Sequence, residues 1–376
     1  MRVLLVNDLA PDAGWGTETH VRRLARGLEA SGDDVRLFAG EVEHTGFGKV
    51  RDLWDPIARR RLAEVAAEFR PDVVHYCNVV RELSVSVLGV ARGVPAVMTV
   101  LDQRIVGVGD NGMPPLRGLA DRVVKRPFDR AVARRRLDAA LGVSEPLADM
   151  LRRAGFRGVE HVPVYALDPQ VELRPVTDNH DVGYLGRLTT DKGIDVLVDA
   201  FELTSERVPT ARLLVGGQGP EQHRLEELRA RLGADRVQIL GRLDEHEVSA
   251  LLARVRVMTV PSLPAVRPEG SPLSAAEAAL HGRPLVTSDD PGLVEMLAFL
   301  GAGAVVPAGD ARALADALTR VLTDDELATR WSETSRRVAA TRYAPEVVTA
   351  RVREIHERVV RGAADPTRSA VQRVAS

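Results

Sequence analysis

The sequence predicts an α/β protein built from two doubly wound parallel sheets. Short apolar runs of strand length alternate with amphipathic segments of helix length, which is typical of parallel βαβ units. This alternation is interrupted once, by a polar segment that contains Pro169 and Pro175, and then it starts again. The chain has 376 residues, enough for two domains that each bury a core.

The composition excludes several classes of protein. The net charge of −2 does not predict a nucleic-acid partner. The single cysteine, Cys77, excludes an internal disulfide and a cysteine-based zinc site. Residues 1–6 are too short for a signal peptide and predict a strand, and no apolar run approaches the roughly 18 residues of a membrane span. We therefore expect a cytoplasmic protein.

The first half begins with one βαβ unit. It consists of a strand at 2–8, a loop that contains Gly14 and Gly16, a helix, and a strand at 35–39. Ligands bind at the carboxyl ends of such strands. The loop lacks the full dinucleotide fingerprint, so by itself it is a weak signal.

Three further strands are predicted at 72–76, 95–101 and 139–143, with helices between them. The segment 117–136 carries eight basic residues with aspartates interleaved. Two interpretations are open: docking on an anionic membrane surface, and a solvated helix face, which we favour.

In the second half the alternation restarts after the polar segment 166–180. Asp244 and Glu247 form a predicted capping box. The predicted strands are 181–185, 211–215, 237–240, 255–260, 284–287 and 304–306, and the main predicted helices are 193–207, 221–232, 310–323, 325–343 and 345–361.

One stretch of the second half, 267–277, predicts a binding site. It follows a buried strand and leads into a helix for which Ser271 is the predicted N-cap and Pro272 the first residue. Glu269 and Gly270 then lie at a helix N-terminus, which favours an anion, and Glu277 lies about a turn and a half into the helix. A nucleotide sugar offers phosphate and hydroxyls to such a site. The alternative is a capped loop and a helix with two solvated glutamates.

Two cations are expected at the same edge of the sheet. Arg187 ends the strand at 181–185, and Lys192 lies at the start of the next helix. Together with a helix N-terminus they predict a diphosphate site with charge-assisted contacts. The alternative is two unrelated surface cations.

These motifs resemble those of the family-four retaining glycosyltransferases of the GT-B fold. The resemblance covers about residues 1–360 and is most specific in the second half. The matching segments are Gly186-Arg187-Leu188…Lys192-Gly193, Val215-Gly216-Gly217-Gln218-Gly219-Pro220, the Glu269…Glu277 pair, the loop Gly14 to Thr17, and Val143-Ser144.

The resemblance implies roles for particular positions. Arg187 and Lys192 would bind the donor diphosphate, Glu277 the ribose hydroxyls, and Glu269 the donor sugar. The implied catalytic set is Asp102, Arg187, Lys192 and Glu269. The implied donor-binding set is Gly16, Thr17, Arg187, Lys192, Gly217, Arg242, Leu243, Glu269, Gly270, Ser271, Pro272, Leu273 and Glu277.

The sequence departs from the family at one position. Many members carry a His-Asp pair after the strand that here ends at Leu101, and in this chain Leu101 precedes Asp102 in place of that histidine. Asp102 is either a general base or the cap of a local turn. His75, predicted at the end of the neighbouring strand, is a substitute imidazole or a structural histidine. The acceptor-side candidates are Glu18, His75 and Asp102.

The resemblance also implies a domain arrangement around a central cleft. Residues 1–168 would form an acceptor-binding Rossmann-like domain and 181–344 a donor-binding one, with a linker at 169–180. A helix at 345–362 would cross back to the first domain, and 363–376 would be a flexible tail.

The expected activity is transfer of a sugar from a nucleoside diphosphate sugar, with UDP or GDP as the expected nucleotide, to a hydroxyl or amine of a small molecule or glycan. No metal and no other cofactor are expected, because the predicted diphosphate site is cationic and the chain contains no Asp-x-Asp triplet. The rivals are a hydrolase or phosphorylase of the same architecture, and an auxiliary subunit that binds a sugar nucleotide without turnover.

Overall fold

The computed structural model describes residues 1–8, 16–40, 54–79, 83–106 and 121–364. The chain divides into two compact units. The first contains residues 1–165 and the described residues from 348 onward, and the second contains 166–347. Each unit holds a six-stranded parallel sheet with helices packed against it, which confirms the predicted fold class.

The sheet of the first unit has the strand order β2-β1-β3-β4-β5-β6. The strands are β1 (Arg2–Asn7), β2 (Asp34–Ala39), β3 (Val73–Cys77), β4 (Ala96–Val100), β5 (Ala139–Gly142) and β6 (Val159–His161). The helices are α1 (Gly16–Ala30), α2 (Pro56–Phe69), α3 (Arg126–Arg136), which follows a π-helical turn at Asp121–Lys125, and α4 (Glu145–Arg153). Strand β6 was not predicted, because three residues give too short an apolar pattern.

The sheet of the second unit has the strand order β12-β11-β10-β7-β8-β9. Its strands are β7 (Asp181–Leu185), β8 (Arg212–Gly216), β9 (Val237–Gly241), β10 (Val257–Val260), β11 (Leu285–Ser288) and β12 (Ala304–Val306). Its helices are α5 (Ile194–Arg207), α6 (Gln222–Leu232), α7 (Glu245–Arg254), α8 (Leu273–Leu280), α9 (Pro291–Leu300), α10 (Ala311–Thr323) and α11 (Asp325–Tyr343). The predicted capping box at Asp244 and Glu247 is confirmed at the start of α7.

The order of the second sheet reverses between β7 and β10. From β7 the chain continues to β8 and β9 on one side, whereas β10, β11 and β12 lie on the other. Ligands of doubly wound sheets bind at such a switch point, outside the carboxyl ends of the strands. The loops that follow β7 and β10 carry Arg187, Lys192 and Glu269, so the topology brings the predicted donor residues to one place.

A last helix, α12 (Pro345–Ala364), completes the core of the first unit. Its residues Val348, Val352 and Ile355 are buried in the same cluster as Leu5 and Leu24. The helix ends the described chain, so positions 365–376 of the predicted tail lie outside the described residues. Within the parts of the chain described above, no helix has both the length and the apolarity that crossing a bilayer requires.

Candidate functional site

Two loops of the second unit meet closely at the switch point. A short 3₁₀ turn at Thr190–Lys192 follows β7, and Gly193 then adopts a left-handed φ of 70°. A Cβ atom at Gly193 would lie 2.0 Å from the carbonyl oxygen of Pro261, which follows β10. The backbone N–H of Leu263 also donates to the carbonyl of Asp191. Glycine is therefore needed at 193 for the two loops to approach.

Lys192 and Glu269 form an ion pair between these two loops. The Lys192 ammonium contacts Glu269 Oε1, and the hydroxyl of Ser262 donates to the same oxygen at 2.6 Å. The side chains of Lys192 and Glu269 are 21% and 11% exposed. Glu269 is thus a partly buried carboxylate held by two donors, which contradicts the interpretation of a solvated glutamate.

Arg187 forms the second ion pair of the site. Its Nη2 lies 2.9 Å from Asp191 Oδ2, while the hydroxyl of Thr189 donates to the other carboxylate oxygen. Burial alone would raise the pKa of Asp191, but the bond from Thr189 and the charges of Arg187, Lys192 and Arg267 together lower it. Asp191 therefore stays ionised beside the cations at neutral pH.

The buried Tyr184 supports this loop from below. Its hydroxyl donates to the carbonyl oxygen of Arg187 at 2.8 Å. Burial, reinforced by the charges of Glu269 and Asp191, raises the pKa of Tyr184. The tyrosine therefore remains a neutral donor that fixes the backbone at Arg187.

The helix α8 begins at Leu273, not at Pro272, and its N-cap is Pro272. The predicted Ser271 cap is therefore wrong. Pro272 has extended backbone angles, and its carbonyl accepts from the N–H groups of Ala275 and Ala276, which makes it the last residue outside the helix. Because proline has no side-chain acceptor, the N-cap residue makes no side-chain hydrogen bond to the first N–H groups of α8. Helix starts of this kind favour anions.

Asp290 fixes the backbone at Glu269, and the sequence analysis missed it. Its Oδ2 accepts from the N–H of Glu269 at 2.9 Å, while its Oδ1 caps α9 through the N–H of Gly292. Burial raises the pKa of Asp290, although these N–H bonds oppose the rise. An aspartate followed by Pro291 is an N-cap signal, but the sequence could not show that the same carboxylate reaches Glu269.

Glu277 lies in α8 and is buried, with 4% exposure. Its predicted position in the helix is confirmed, whereas the alternative of a solvated side chain is wrong. A buried carboxylate near the start of a short helix is suited to accept hydrogen bonds from a bound polar group.

The turn after β8 completes the site. Gly217 has φ 142°, and its N–H donates to the carbonyl of Gly241 at 2.7 Å. A Cβ atom at Gly217 would lie 1.8 Å from the carbonyl oxygen of Gly186, next to Arg187. Gly241 ends β9 and leads into Arg242 and Leu243. The structure thus brings the Gly217 turn and the end of β9 to the same edge as the two cations.

In the first unit, Gly16, Thr17 and Glu18 form the first turn of α1, and Glu18 is buried. The preceding positions of the predicted loop, including Gly14, lie outside the described residues. Asp102 follows β4, where its Oδ1 accepts from the N–H of Arg104 at 2.9 Å and its Oδ2 from Asn78 Nδ2 at 3.2 Å. The predicted turn bond of Asp102 is therefore present, and one oxygen of Asp102 faces a side chain of the neighbouring strand end.

His75 does not end a strand, so its predicted position is wrong. It lies in the middle of β3 and is fully buried, because the strand runs on to Cys77. Its Nε2 is 2.7 Å from Thr99 Oγ1 and its Nδ1 is 2.9 Å from Nε2 of His356 in α12. Burial, together with the charges that His356 and His20 would carry, lowers its pKa. Both ring nitrogens of His75 are thus hydrogen-bonded to buried side chains, which favours the alternative of a structural histidine.

The basic segment is partly neutralised within itself. Lys125 pairs with Asp129 at 2.7 Å, and the buried Arg126 pairs with Asp121 at 2.6 Å. Positions 117–120 lie outside the described residues. In the part of the chain that the structure describes, no cluster of three histidine, cysteine or acidic side chains has the arrangement of a metal site.

Comparison with known proteins gives the family. Residues 15–164 match the family model for glycosyltransferase family 4, and residues 170–338 match the model for glycosyl transferases group 1. The chain belongs to the family-four type of glycosyltransferase. The two matches meet at the boundary between the two compact units, so each unit of the glycosyltransferase corresponds to one family model.

Two curated relatives illustrate the range of the family. The phosphatidyl-myo-inositol mannosyltransferase of Mycobacterium leprae is 26% identical, over 96% of this chain and 97% of that protein. The α-D-kanosaminyltransferase of Streptomyces kanamyceticus is also 26% identical, over 67% of each chain.

Two solved structures share the fold of this glycosyltransferase. Sucrose-phosphate synthase from Thermosynechococcus elongatus has a TM-score of 0.75 at 20% identity, covering 96% of this chain and 100% of the other. Anabaena HepE in complex with UDP-glucose has a TM-score of 0.69 at 18% identity, covering 94% and 99%.

Proposed function

We propose that this glycosyltransferase moves a sugar, with retention of its anomeric configuration, from a nucleoside diphosphate sugar to a hydroxyl or amine acceptor. One observation carries the proposal: Arg187 and Lys192 lie at the switch point of the second sheet, where Lys192 is paired with Glu269. Retention is proposed from the resemblance to retaining enzymes. A nucleotide-sugar donor is also supported by the fold neighbour that was solved with UDP-glucose.

Arg187 and Lys192 are placed so that they could exchange their carboxylate partners for the diphosphate of a bound donor. Arg187 is paired with Asp191 of its own loop, and Lys192 is paired with Glu269 of the loop that follows β10. A diphosphate offers stronger, bidentate acceptors, so Arg187 and Lys192 would turn to its oxygens. Glu269 would then be released to accept a hydrogen bond from a hydroxyl of the donor sugar.

Catalysis would follow from this charge arrangement. Negative charge builds on the diphosphate as the bond to the sugar breaks, and two fixed cations and the start of α8 would stabilise it. The site would therefore need no divalent metal, which remains a proposal. Asp102 is the proposed base on the acceptor side, because the hydrogen bond that its Oδ2 accepts from Asn78 is long, at 3.2 Å, and could be exchanged for one from an acceptor hydroxyl.

A binding and transfer screen would identify the donor sugar and the acceptor. We would screen UDP-, GDP-, ADP- and TDP-sugars for binding, and test each binder for transfer to polyol, amino-sugar and glycan acceptors. Proton NMR of the product would compare its anomeric coupling with that of the donor. A product of inverted configuration would contradict retention, and absence of binding by every donor would contradict the whole proposal.

A second candidate is favoured by Leu101. If leucine in place of the family's usual histidine removes turnover, the chain would be an auxiliary subunit that binds a sugar nucleotide. Donor binding without transfer to any acceptor would support this candidate, whereas release of sugar to water or phosphate alone would indicate the hydrolase or phosphorylase alternative.

A further inference from the structure

A chain of hydrogen bonds, two of them buried and one partly buried, joins the segment 166–180 to the helix that carries Glu277. The N–H of Gln170 donates to Ser249 Oγ at 2.9 Å. Ser249 Oγ lies 3.0 Å from Nε2 of His281, and Nδ1 of His281 lies 2.8 Å from the carbonyl oxygen of Glu277. Ser249 belongs to α7 and His281 follows α8, and both side chains are almost completely buried.

If the His281 imidazole is neutral, one arrangement of protons satisfies this chain. The Gln170 N–H must donate, so Ser249 Oγ accepts from it. The Glu277 carbonyl must accept, so Nδ1 of His281 carries the imidazole proton. Nε2 is then an acceptor, and the Ser249 hydroxyl donates to it. Every group in the chain is paired, which makes it a specific connection instead of a chance contact.

A second connection runs parallel to the first. The guanidinium of Arg283 donates from Nη2 to the carbonyl of Arg174 at 2.9 Å and from Nη1 to the carbonyl of Val255 at 3.1 Å. The N–H of Arg174 in turn donates to the carbonyl of Ala253. Two residues just beyond α8 therefore hold this segment, at positions 170 and 174.

We infer that Ser249 and His281 are positioning residues that couple the segment around Gln170 to Glu277. His281 fixes the last turn of α8 through the Glu277 carbonyl, and Ser249 fixes His281 against Gln170. A ligand that engages Glu277 restrains α8, and the restraint reaches Gln170 through these two side chains. The inference rests on the proposed role of Glu277 in donor binding.

The coupling has a direct measurement in the wild-type protein. Nitrogen-15 NMR of the histidine rings should show His281 as the Nδ1–H tautomer. The probe is whichever of UDP, GDP, ADP and TDP binds best. When the protein is saturated with it, hydrogen exchange at the backbone amide of Gln170 should slow by about three- to tenfold, which corresponds to the strengthening of one hydrogen bond. Unchanged exchange at Gln170 in the saturated protein would overturn the coupling.

Ser249→Ala tests the intermediate residue, and Ser205→Ala is the matched control. Ser205 is also a buried serine of the second unit, but its hydroxyl donates to the carbonyl of Glu202 in its own helix. Ser249→Ala should weaken nucleoside diphosphate binding by about three- to tenfold and abolish the response at Gln170. Ser205→Ala should lose thermal stability alone, and Ser249→Thr, which keeps the hydroxyl, should restore both readouts.

The outcomes separate this inference from the proposed function. If no nucleoside diphosphate binds, the proposed function is wrong and the inference with it. If one binds with unchanged affinity in Ser249→Ala, only the inference is wrong. If Ser249→Ala does not fold, the exchange measurement on the wild-type protein decides.

Discussion

Replacing Glu269 by glutamine should change the binding of a nucleoside diphosphate and of its sugar conjugate in opposite directions. The carboxylate of Glu269 is paired with the Lys192 ammonium. A diphosphate must displace it, so the carboxylate competes with the phosphate oxygens. A donor sugar, in contrast, would gain the carboxylate as a hydrogen-bond acceptor. Glutamine keeps the shape of the side chain and still accepts from Ser262.

The size of the effect follows from the burial of the pair. Two unit charges 4 Å apart interact by about 4 kcal/mol at an effective dielectric constant of 20. The side chains of Lys192 and Glu269 retain 21% and 11% exposure, and desolvation and screening reduce the net value to about 1 kcal/mol. Loss of a charged hydrogen bond to the sugar costs roughly 1.5 to 3 kcal/mol. Glu269→Gln should thus bind the free nucleoside diphosphate about fivefold tighter. The sugar conjugate has the same gain at the diphosphate but the larger loss at the sugar, so it should bind about two- to thirtyfold weaker.

Isothermal titration calorimetry with both ligands at one salt concentration measures this difference. Lys192→Ala should weaken both ligands alike, because it removes a cation that faces phosphate. Glu221→Gln is the matched control. Glu221 is a glutamate of the same region whose carboxylate accepts from the Thr190 hydroxyl at 2.9 Å, and its replacement should change neither affinity. Equal shifts of the two ligands in Glu269→Gln would refute the assignment of Glu269 to the sugar.

Four further predictions concern other groups. Glu277→Gln should weaken a ribonucleotide donor more than its 2′-deoxy analogue, as measured by competition binding; equal losses would give Glu277 another role. Asp102→Asn should keep donor affinity and reduce turnover by about 10²-fold if Asp102 is the base, whereas a loss of melting temperature at normal turnover would make it structural. Activity should persist in excess EDTA, and a loss reversed by magnesium or manganese would contradict metal independence. Burial lowers the pKa of His356 and of His20 from 6.5 to about 4. Because the unfolded chain binds these protons first, the free energy of unfolding should be highest above pH 6.5 and should fall by about 1.4 kcal/mol per pH unit for each histidine between pH 6.5 and about 4. Urea unfolding at a series of pH values should show a smaller dependence of this free energy on pH in His356→Gln.

The sequence predicted the parts of the molecule that depend on local pattern. Alternating strands and helices follow from apolar periodicity, so the two sheets and the bounds of most elements could be predicted to within a few residues. The capping box at Asp244 is a local signal of the same kind. The positions of Arg187 and Lys192 after β7 and of Glu269 after β10 followed from the order of the strands.

Other features depend on contacts between distant residues. The sequence places Ser271 before Pro272 as a standard cap, but the extended backbone of Pro272 moves the helix start by one residue. His75 was assigned to a strand end because strand length is weakly encoded, and its partner His356 is 281 positions away. The bond from Asp290 to the Glu269 backbone and the link from Gln170 to His281 likewise join separate elements, which periodicity does not report.

The place of α12 in the first unit has a consequence for synthesis of the chain. Residues 166–347 form a continuous unit, whereas the first unit needs both residues 1–165 and the helix that begins at Pro345. On the ribosome, the second unit is fully made before Val348, Val352 and Ile355 emerge to cover the core of the first. The first unit therefore keeps an exposed apolar face until α12 has been made, while the second is free to fold. A chain stopped before α12 would leave that face open, and nascent-chain proteolysis would detect it as a protected second unit attached to a digestible first one.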